Sequence, residues 1–162
     1  MRKVTLNHGW RMPSWFDIRF LGAGAGESDR ECPVEAQESA ELIASLMEEE
    51  HARGIPYNRI VLIGFSQGGA MSLYLGCRFP ERIAGMVCLS GYLIFHDAHM
   101  EACHEANRST PVLVCHGTRD DMVPLAASER TVEFLRNNGW PVEFEDYPMF
   151  HEVCMEELRR VE

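Results

Sequence analysis

The sequence predicts an open, mostly parallel α/β sheet with flanking helices, in one domain over residues 1–162. Three observations predict it. Apolar runs of strand length recur along the chain, rich in β-branched residues and apolar on both faces, as strands buried in a parallel sheet are. Stretches of helical length and pattern separate them. Glycine and proline stand at the joints. With 46% hydrophobic residues in 162, the chain can bury a core of ordinary domain size.

Residues 1–31 read as irregular, ending in the glycine-rich loop Gly22-Ala23-Gly24-Ala25-Gly26. This loop has neither G-x-G-x-x-G spacing nor a Lys-Ser/Thr to cradle phosphate, so it reads as a surface loop. Pro33 opens a helix, with Glu35 and Glu38 at the positive end of its dipole. Ile43, Leu46 and Met47 form its expected buried stripe, Glu48-Glu49-Glu50 its solvated side, and Gly54 and Pro56 its stop. Ile60-Val61-Leu62-Ile63 is a strand expected to be covered on both faces. Gly68 to Phe79 is a helix ended by Pro80. Met86 to Leu89 is a strand, residues 97–107 a helix, and Val112 to Cys115 a third strand. Ala126 to Asn137 is a helix with Val132 and Leu135 inward, closed by Asn138-Gly139. Val142 to Tyr147 alternates as an outer strand, and 152–160 begins a last helix.

The charge excludes some function classes. A formal net charge of -10 repels phosphate backbones and anionic membranes, so nucleic acid is not an expected partner. No apolar run approaches the roughly 20 residues of a spanning helix, and the N-terminus turns polar before a signal-peptide core could form. Neither secretion nor stable membrane insertion is expected. The six cysteines contain no C-x-x-C pair and are expected to be reduced thiols in a cytoplasmic setting.

The chemistry concentrates at Gly64-Phe65-Ser66-Gln67-Gly68, a G-x-S-x-G at a strand-to-helix joint. Such a turn strains the serine backbone and lifts its hydroxyl above the sheet. Ser66 is therefore the expected nucleophile, and the Gln67 backbone N–H an oxyanion donor. A serine needs a base, and the base an orienting acid. The third strand runs into His116-Gly117-Thr118-Arg119-Asp120-Asp121, and the outer strand into Tyr147-Pro148-Met149-Phe150-His151. Asp120 and His151 thus fall at carboxyl ends of parallel strands, where open α/β sheets place their sites. His151 is the expected base and Asp120 its partner, with Asp121 the second choice.

Gly-Phe-Ser-Gln-Gly-Gly-Ala, His-Gly-x-x-Asp-x-x-Val-Pro and Tyr-Pro-Met-x-His-Glu-Val resemble the phospholipase/carboxylesterase family, which includes acyl-protein thioesterases and bacterial carboxylesterases. Val4-Thr5-Leu6-Asn7, Met12 to Ile18, Gly54-Ile55-Pro56 and Arg59-Ile60 extend the resemblance over nearly the whole chain. It implies a cytosolic α/β-hydrolase that cleaves carboxylic esters or thioesters without a cofactor. The implied substrates are small-molecule esters, lysophospholipids or acylated proteins. In the family pattern the triad aspartate falls on Asp120. By motif position Trp15, Tyr92 and Met122 are expected to line an acyl pocket.

The family also has strands and a His-Gly-Leu-Gly-Asp loop ahead of the Val-Thr-Leu-Asn segment, and the loop normally supplies a second oxyanion N–H. This chain begins at that segment. His8-Gly9 and His116-Gly117 do not replace the loop. The fold is therefore expected to lack the N-terminal strands, to leave the nucleophile strand with a bare edge, and to end its last helix short at Glu162. Weak activity, or none unless something replaces the missing part, is the corresponding expectation, because losing one oxyanion donor costs on the order of 10²–10³ in turnover. The alternative is a remnant acting only through partner or dimer contacts at the open edge, and an exposed apolar edge strand makes a homodimer an expectation too. Phe150, where bacterial relatives often carry glycine, narrows the site, shifts the histidine loop or packs on the pocket wall. His96, His99, Cys103 and His104 cluster in sequence, but a polar region beside the pocket is the simpler reading, and no metal is expected.

Overall fold

The computed structural model describes residues 1–19, 31–95 and 100–161. Four parallel strands form the central sheet in the order β3-β4-β5-β6: Val61–Phe65, Gly85–Leu89, Val112–Gly117 and Val142–Tyr147. A two-stranded antiparallel hairpin, β1 (Arg2–Val4) with β2 (Trp10–Met12), precedes it. The helices are α1 (Pro33–Ala52), α2 (Gln67–Gly76), α3 (Leu125–Asn137) and α4 (Met155–Val161). The parallel register runs Ile63 to Val87, Cys88 to Val114, and Val114 to Phe144.

The hairpin is the first difference from the sequence pattern, which reads as irregular here. Its strands are three residues long, too short for alternation to register, and long-range contacts hold them. Arg2 donates to Glu38 of α1 at 2.8 Å, Thr5 Oγ1 to Asp17 at 2.7 Å, and the Asp17 N–H to Glu35 at 2.7 Å. The glycine-rich loop at 22–26 lies outside the described residues.

In α1, Pro33 occupies the first turn and Glu35 faces the helix N-terminus, as the pattern requires. The buried stripe differs. Ala36, Ala40 and Met47 are buried, whereas Leu46 is 52% exposed. Small residues let α1 approach α2 closely, and Leu46 falls beside the open sheet edge, where it lines a cavity with Ile63. α2 ends at Gly76, three residues before the expected Phe79. The stretch from residue 100 is helical only to 102 and resumes as a 3-10 turn at Glu105–Asn107. Asn107 explains the break. Its buried amide donates to the Phe79 and Glu81 carbonyls and accepts from the Ile83 N–H, tying this segment to the α2–β4 connection. The last helix starts at Met155 rather than 152 because residues 148–154 form the loop that carries His151.

The principal core lies between the sheet and α1–α3, with Phe16, Met71, Leu73, Ile83, Met86 and Leu135 fully buried. The opposite face carries a smaller cluster, Val87, Leu89 and Cys115, against Val161 of α4. β3 is not covered on both faces as its unbroken apolar run suggests. Among the described residues it pairs only with β4, and Val61, Ile63 and Phe65 stay 48%, 49% and 36% exposed. This is the bare edge that the family resemblance implies. No helix among the described residues is long and apolar enough to cross a membrane.

All six cysteines are free thiols. Burial pushes Cys88 and Cys115 up to about 12, which leaves both as unreactive core residues. Glu157 of α4 is buried without a well-formed hydrogen bond to either carboxylate oxygen, and desolvation raises its pKa against a smaller downward pull from the Cys154 backbone. With the folded pKa above the ordinary value of 4.5, the native state holds this proton longer than the unfolded chain does. Glu157 therefore subtracts stability as pH rises from 4.5 toward its folded pKa. Glu157→Gln removes that loss, so its stability advantage over the wild type should grow between pH 4.5 and 7.5 in urea titrations. An advantage that is equal at both pH values would refute the assignment.

Candidate active site

The ladder between parallel strands continues past their carboxyl ends. Ser66 N–H donates to Leu89 O at 2.8 Å, Ser90 N–H to Cys115 O at 2.8 Å, and Thr118 N–H to Tyr147 O at 2.7 Å. The loops after β3, β4 and β5 are thereby fixed at one end of the sheet: the first carries Ser66, the second Tyr92 and the third Asp120 and Met122, while His151 stands in the loop after β6 at the same end. Ser66 caps α2 with φ 55° and ψ -120°, a conformation that costs a non-glycine residue of order 1–3 kcal/mol. The strain turns the chain sharply from β3 into α2 and leaves the hydroxyl above the sheet.

His151 Nε2 lies 3.0 Å from Ser66 Oγ, and its Nδ1 lies 2.7 Å from Asp120 Oδ2. Asp120 is completely buried at its side chain, and its other oxygen accepts the Met122 and Val123 N–H groups at 2.9 and 2.8 Å. A carboxylate can only accept, so the His151 proton sits on Nδ1 and Nε2 faces the serine with a lone pair. Asp121 is exposed and takes no part. The Phe65 ring rests against His151 at 4.7 Å between centroids and limits its rotation. Gly117 allows the two loops to meet, since a Cβ there would fall 2.5 Å from the Met149 and Phe150 carbonyl oxygens.

Ser66 and His151 open on a cavity of about 670 Å³. Trp15, Tyr92 and Met122 all line it, together with Val4, Leu6, Met12, Ile18 and Phe65. Tyr92 is held by its hydroxyl, which donates to the buried Glu31 at 2.8 Å. Phe150, in contrast, is 54% exposed and is not among the lining residues, so it neither narrows the site nor packs on its wall. Of the sequence cluster of histidines and cysteine, His96 and His99 lie outside the described residues, and His104 Nδ1 accepts the Ala106 N–H. Among the described residues no three His, Cys, Asp or Glu side chains converge as metal ligands.

Two participants escaped the sequence reading. The Gln67 side chain is one: Oε1 accepts from Ser14 Oγ at 3.0 Å and from Trp15 N–H at 3.1 Å, and Nε2 donates to Phe16 O at 2.9 Å. It fastens the cavity wall at Trp15 to the turn that carries Ser66. His116 is the other, buried behind Asp120 with its Nε2 3.4 Å from Oδ2. A glutamine after a serine and a histidine before a glycine announce neither contact.

The chain is similar to several known proteins. Acyl-protein thioesterase 1 of Gibberella zeae is 39% identical, over 98% of this chain and 69% of that protein. A probable carboxylesterase of Oryza sativa subsp. japonica is 36% identical, over 98% of this chain and 59% of that protein. The crystal structure of Arabidopsis thaliana SOBER1 superposes with a TM-score of 0.88 at 31% identity, over 99% of this chain and 76% of that one. The chain thus spans well under the full length of these relatives, and for the rice protein less than two thirds. Since the phospholipase/carboxylesterase family model matches residues 1–162 and the sheet is that of its solved members, the chain belongs to the phospholipase/carboxylesterase family of α/β-hydrolases.

Proposed function

We propose that this chain is a serine carboxylic-ester hydrolase working through a Ser66–His151–Asp120 triad and an acyl-enzyme. The observation that carries the reading is the hydrogen-bonded series from Asp120 through His151 to a strained Ser66 at the mouth of an apolar cavity. Ser66 Oγ attacks the acyl carbonyl while His151 Nε2 takes its proton, and Asp120 stabilises the imidazolium. The Gln67 N–H, at the N-terminus of α2, donates to the carbonyl oxygen as it becomes negative. His151 then returns the proton to the leaving alcohol or thiol, and water releases the acid by the reverse sequence. The apolar lining, with Trp15, Tyr92 and Met122 as walls, suits an acyl chain. Small esters, lysophospholipids and acylated proteins all present one, and the similar proteins named acyl-protein thioesterase and carboxylesterase support that range.

The test is labelling of the 162-residue protein by a fluorophosphonate, with the adduct located by mass. A covalent adduct at Ser66 and turnover of p-nitrophenyl esters are expected. The exposed Val61, Ile63 and Phe65 favour a second reading, in which the chain acts through contacts at its open sheet edge. Folded protein that takes up no probe would favour that reading and sink the first.

Gln67→Ala is expected to loosen the Trp15 wall without removing the backbone donor. Losing three hydrogen bonds should lower stability by about 1–3 kcal/mol. KM for long-chain esters should rise several-fold more than kcat falls. If kcat falls with KM unchanged, Gln67 does something other than hold the wall.

A further inference from the structure

Behind the acid loop runs a hydrogen-bond chain that ends on a backbone carbonyl at both ends. His116 of β5 is fully buried. Its Nε2 lies 2.9 Å from Val123 O and 3.4 Å from Asp120 Oδ2. Both neighbours only accept, so Nε2 carries a hydrogen. On the other side of the ring Nδ1 lies 2.5 Å from Ser128 Oγ, and Ser128 Oγ lies 2.6 Å from Gly91 O. The Gly91 carbonyl only accepts, so the serine hydroxyl hydrogen belongs there. The three contacts, Val123 to ring, ring to Ser128 and Ser128 to Gly91, need three hydrogens. A neutral imidazole and a hydroxyl supply two.

We propose that His116 is a buried imidazolium, charge-paired with Asp120, and that it serves as a positioning residue for the Asp120–His151 pair. The neutral alternative turns the Ser128 hydroxyl toward Nδ1. That leaves two buried oxygens 2.6 Å apart with no hydrogen between them, an unmade bond at repulsive distance. Burial is the largest influence and lowers the ring's pKa against the upward pull of the Val123 carbonyl and the Asp120 carboxylate, so what favours the charged ring is the hydrogen count. The charged or titratable groups facing the ring are Asp120 on the acid loop, His151 beyond β6 and Glu129 on α3. Two of these are carboxylates, and only His151 opposes a positive charge. Desolvating the cation is thus met by a buried counter-charge at contact distance, and the hydrogen count then favours the charged ring.

The charge has a consequence that rests on the hydrolase reading proposed above. An imidazolium beside Asp120 holds the carboxylate in place and offsets part of its field. Asp120 then orients His151 as a hydrogen-bond acceptor and stabilises the imidazolium formed during catalysis less than an unpaired carboxylate would. Removing the His116 charge should move the acid limb of Ser66 reactivity upward by about one pH unit or more.

Two measurements decide it. In protein labelled with ¹⁵N-histidine, long-range ¹H–¹⁵N spectra at pH 7.5 should show both His116 ring nitrogens protonated and slow to exchange, with His116→Gln assigning the signals. In Ser128→Ala the Nδ1–H loses its acceptor, and the pattern should revert to a single proton at Nε2. The rate of fluorophosphonate labelling against pH should then have its acid midpoint shifted upward in both Ser128→Ala and His116→Gln. A residue that only fills space would lower the rate without moving the midpoint. A singly protonated His116 in the wild type overturns the charge. Unmoved midpoints in the folded variants overturn the positioning role. Absence of labelling in the wild type at every pH defeats the hydrolase reading instead, and the ring spectra still report the charge.

Discussion

Ser66→Ala is expected to abolish fluorophosphonate labelling, and His151→Ala to slow both labelling and ester turnover by about 10⁴-fold or more. Both follow from the single hydrogen-bonded series: without Oγ there is no nucleophile, and without Nε2, 3.0 Å from Oγ, the base of that series is gone. Asp120→Asn is the more instructive change. The carboxamide oxygen will turn to the Met122 and Val123 N–H groups, which otherwise lose their acceptor. Its NH₂ then faces His151 Nδ1, where a donor meets a donor. The ring must move its proton to Nε2, which can no longer accept from Ser66. A loss of about 10⁴-fold in kcat with the fold retained is expected, as for buried triad aspartates in general. Asp121→Asn, at an exposed position outside the series, should leave kcat/KM within about twofold. Kinetics on the four variants, each checked by thermal unfolding, separates the two aspartates. Inactivation by Asp121→Asn with Asp120→Asn active would overturn the assignment of the acid.

How much of this was legible depended on the range of each interaction. Ser66, Asp120 and His151 could be located because each follows a strand whose apolar run is visible locally, and a parallel sheet gathers the carboxyl ends of its strands. The bounds of β6, the start of β5 at Val112 and the inward Val132 and Leu135 are legible for the same reason, whereas β5 runs two residues past the expected Cys115, to Gly117. The misreadings concern contacts between distant segments. The β1–β2 hairpin depends on Arg2 reaching Glu38 and Thr5 reaching Asp17, and three-residue strands carry no periodicity of their own. In β3 the apolar run shows that both faces can be buried, and says nothing of which elements lie there, so Val61 and Ile63 were placed inside and are half exposed. Leu46 followed the same error, because its neighbour is that open edge. Gln67 and His116 look like any amide and any loop histidine. Their roles are set by partners up to 53 residues away for Gln67 and by the return of α3 against β5 for His116.

Gly64→Ala is expected to be the most destabilising single substitution among the motif glycines, and the G-x-S-x-G pattern itself does not say so. A Cβ on Gly64 would lie 2.1 Å from the carbonyl carbon of Gly68 and 2.6 Å from the Gly69 nitrogen. These are backbone atoms of the first turn of α2, so no rotamer change relieves the clash, and the helix must leave the strand. That movement breaks the Ser66 N–H bond to Leu89 and relaxes the strained turn that presents the hydroxyl. A loss of about 4 kcal/mol or more is expected, a large part of the 5–15 kcal/mol that holds a domain folded. Gly68, the last glycine of the pattern, differs. Its Cβ would meet only Trp15 Nε1 at 3.8 Å, an ordinary contact, and alanine is the better helix former. Gly68→Ala should fall within about 1 kcal/mol of the wild type and still take up probe at Ser66. The close approach of α2 to β4 is made at Gly69 instead, whose Cβ would lie 2.9 Å from both Cys88 Sγ and Gly64 O. Urea midpoints for the three alanine variants should therefore rank Gly68 above Gly69 above Gly64. If Gly64→Ala and Gly68→Ala were equally stable, strand β3 and helix α2 could not meet as closely as described, and the geometry that presents Ser66 would have another cause.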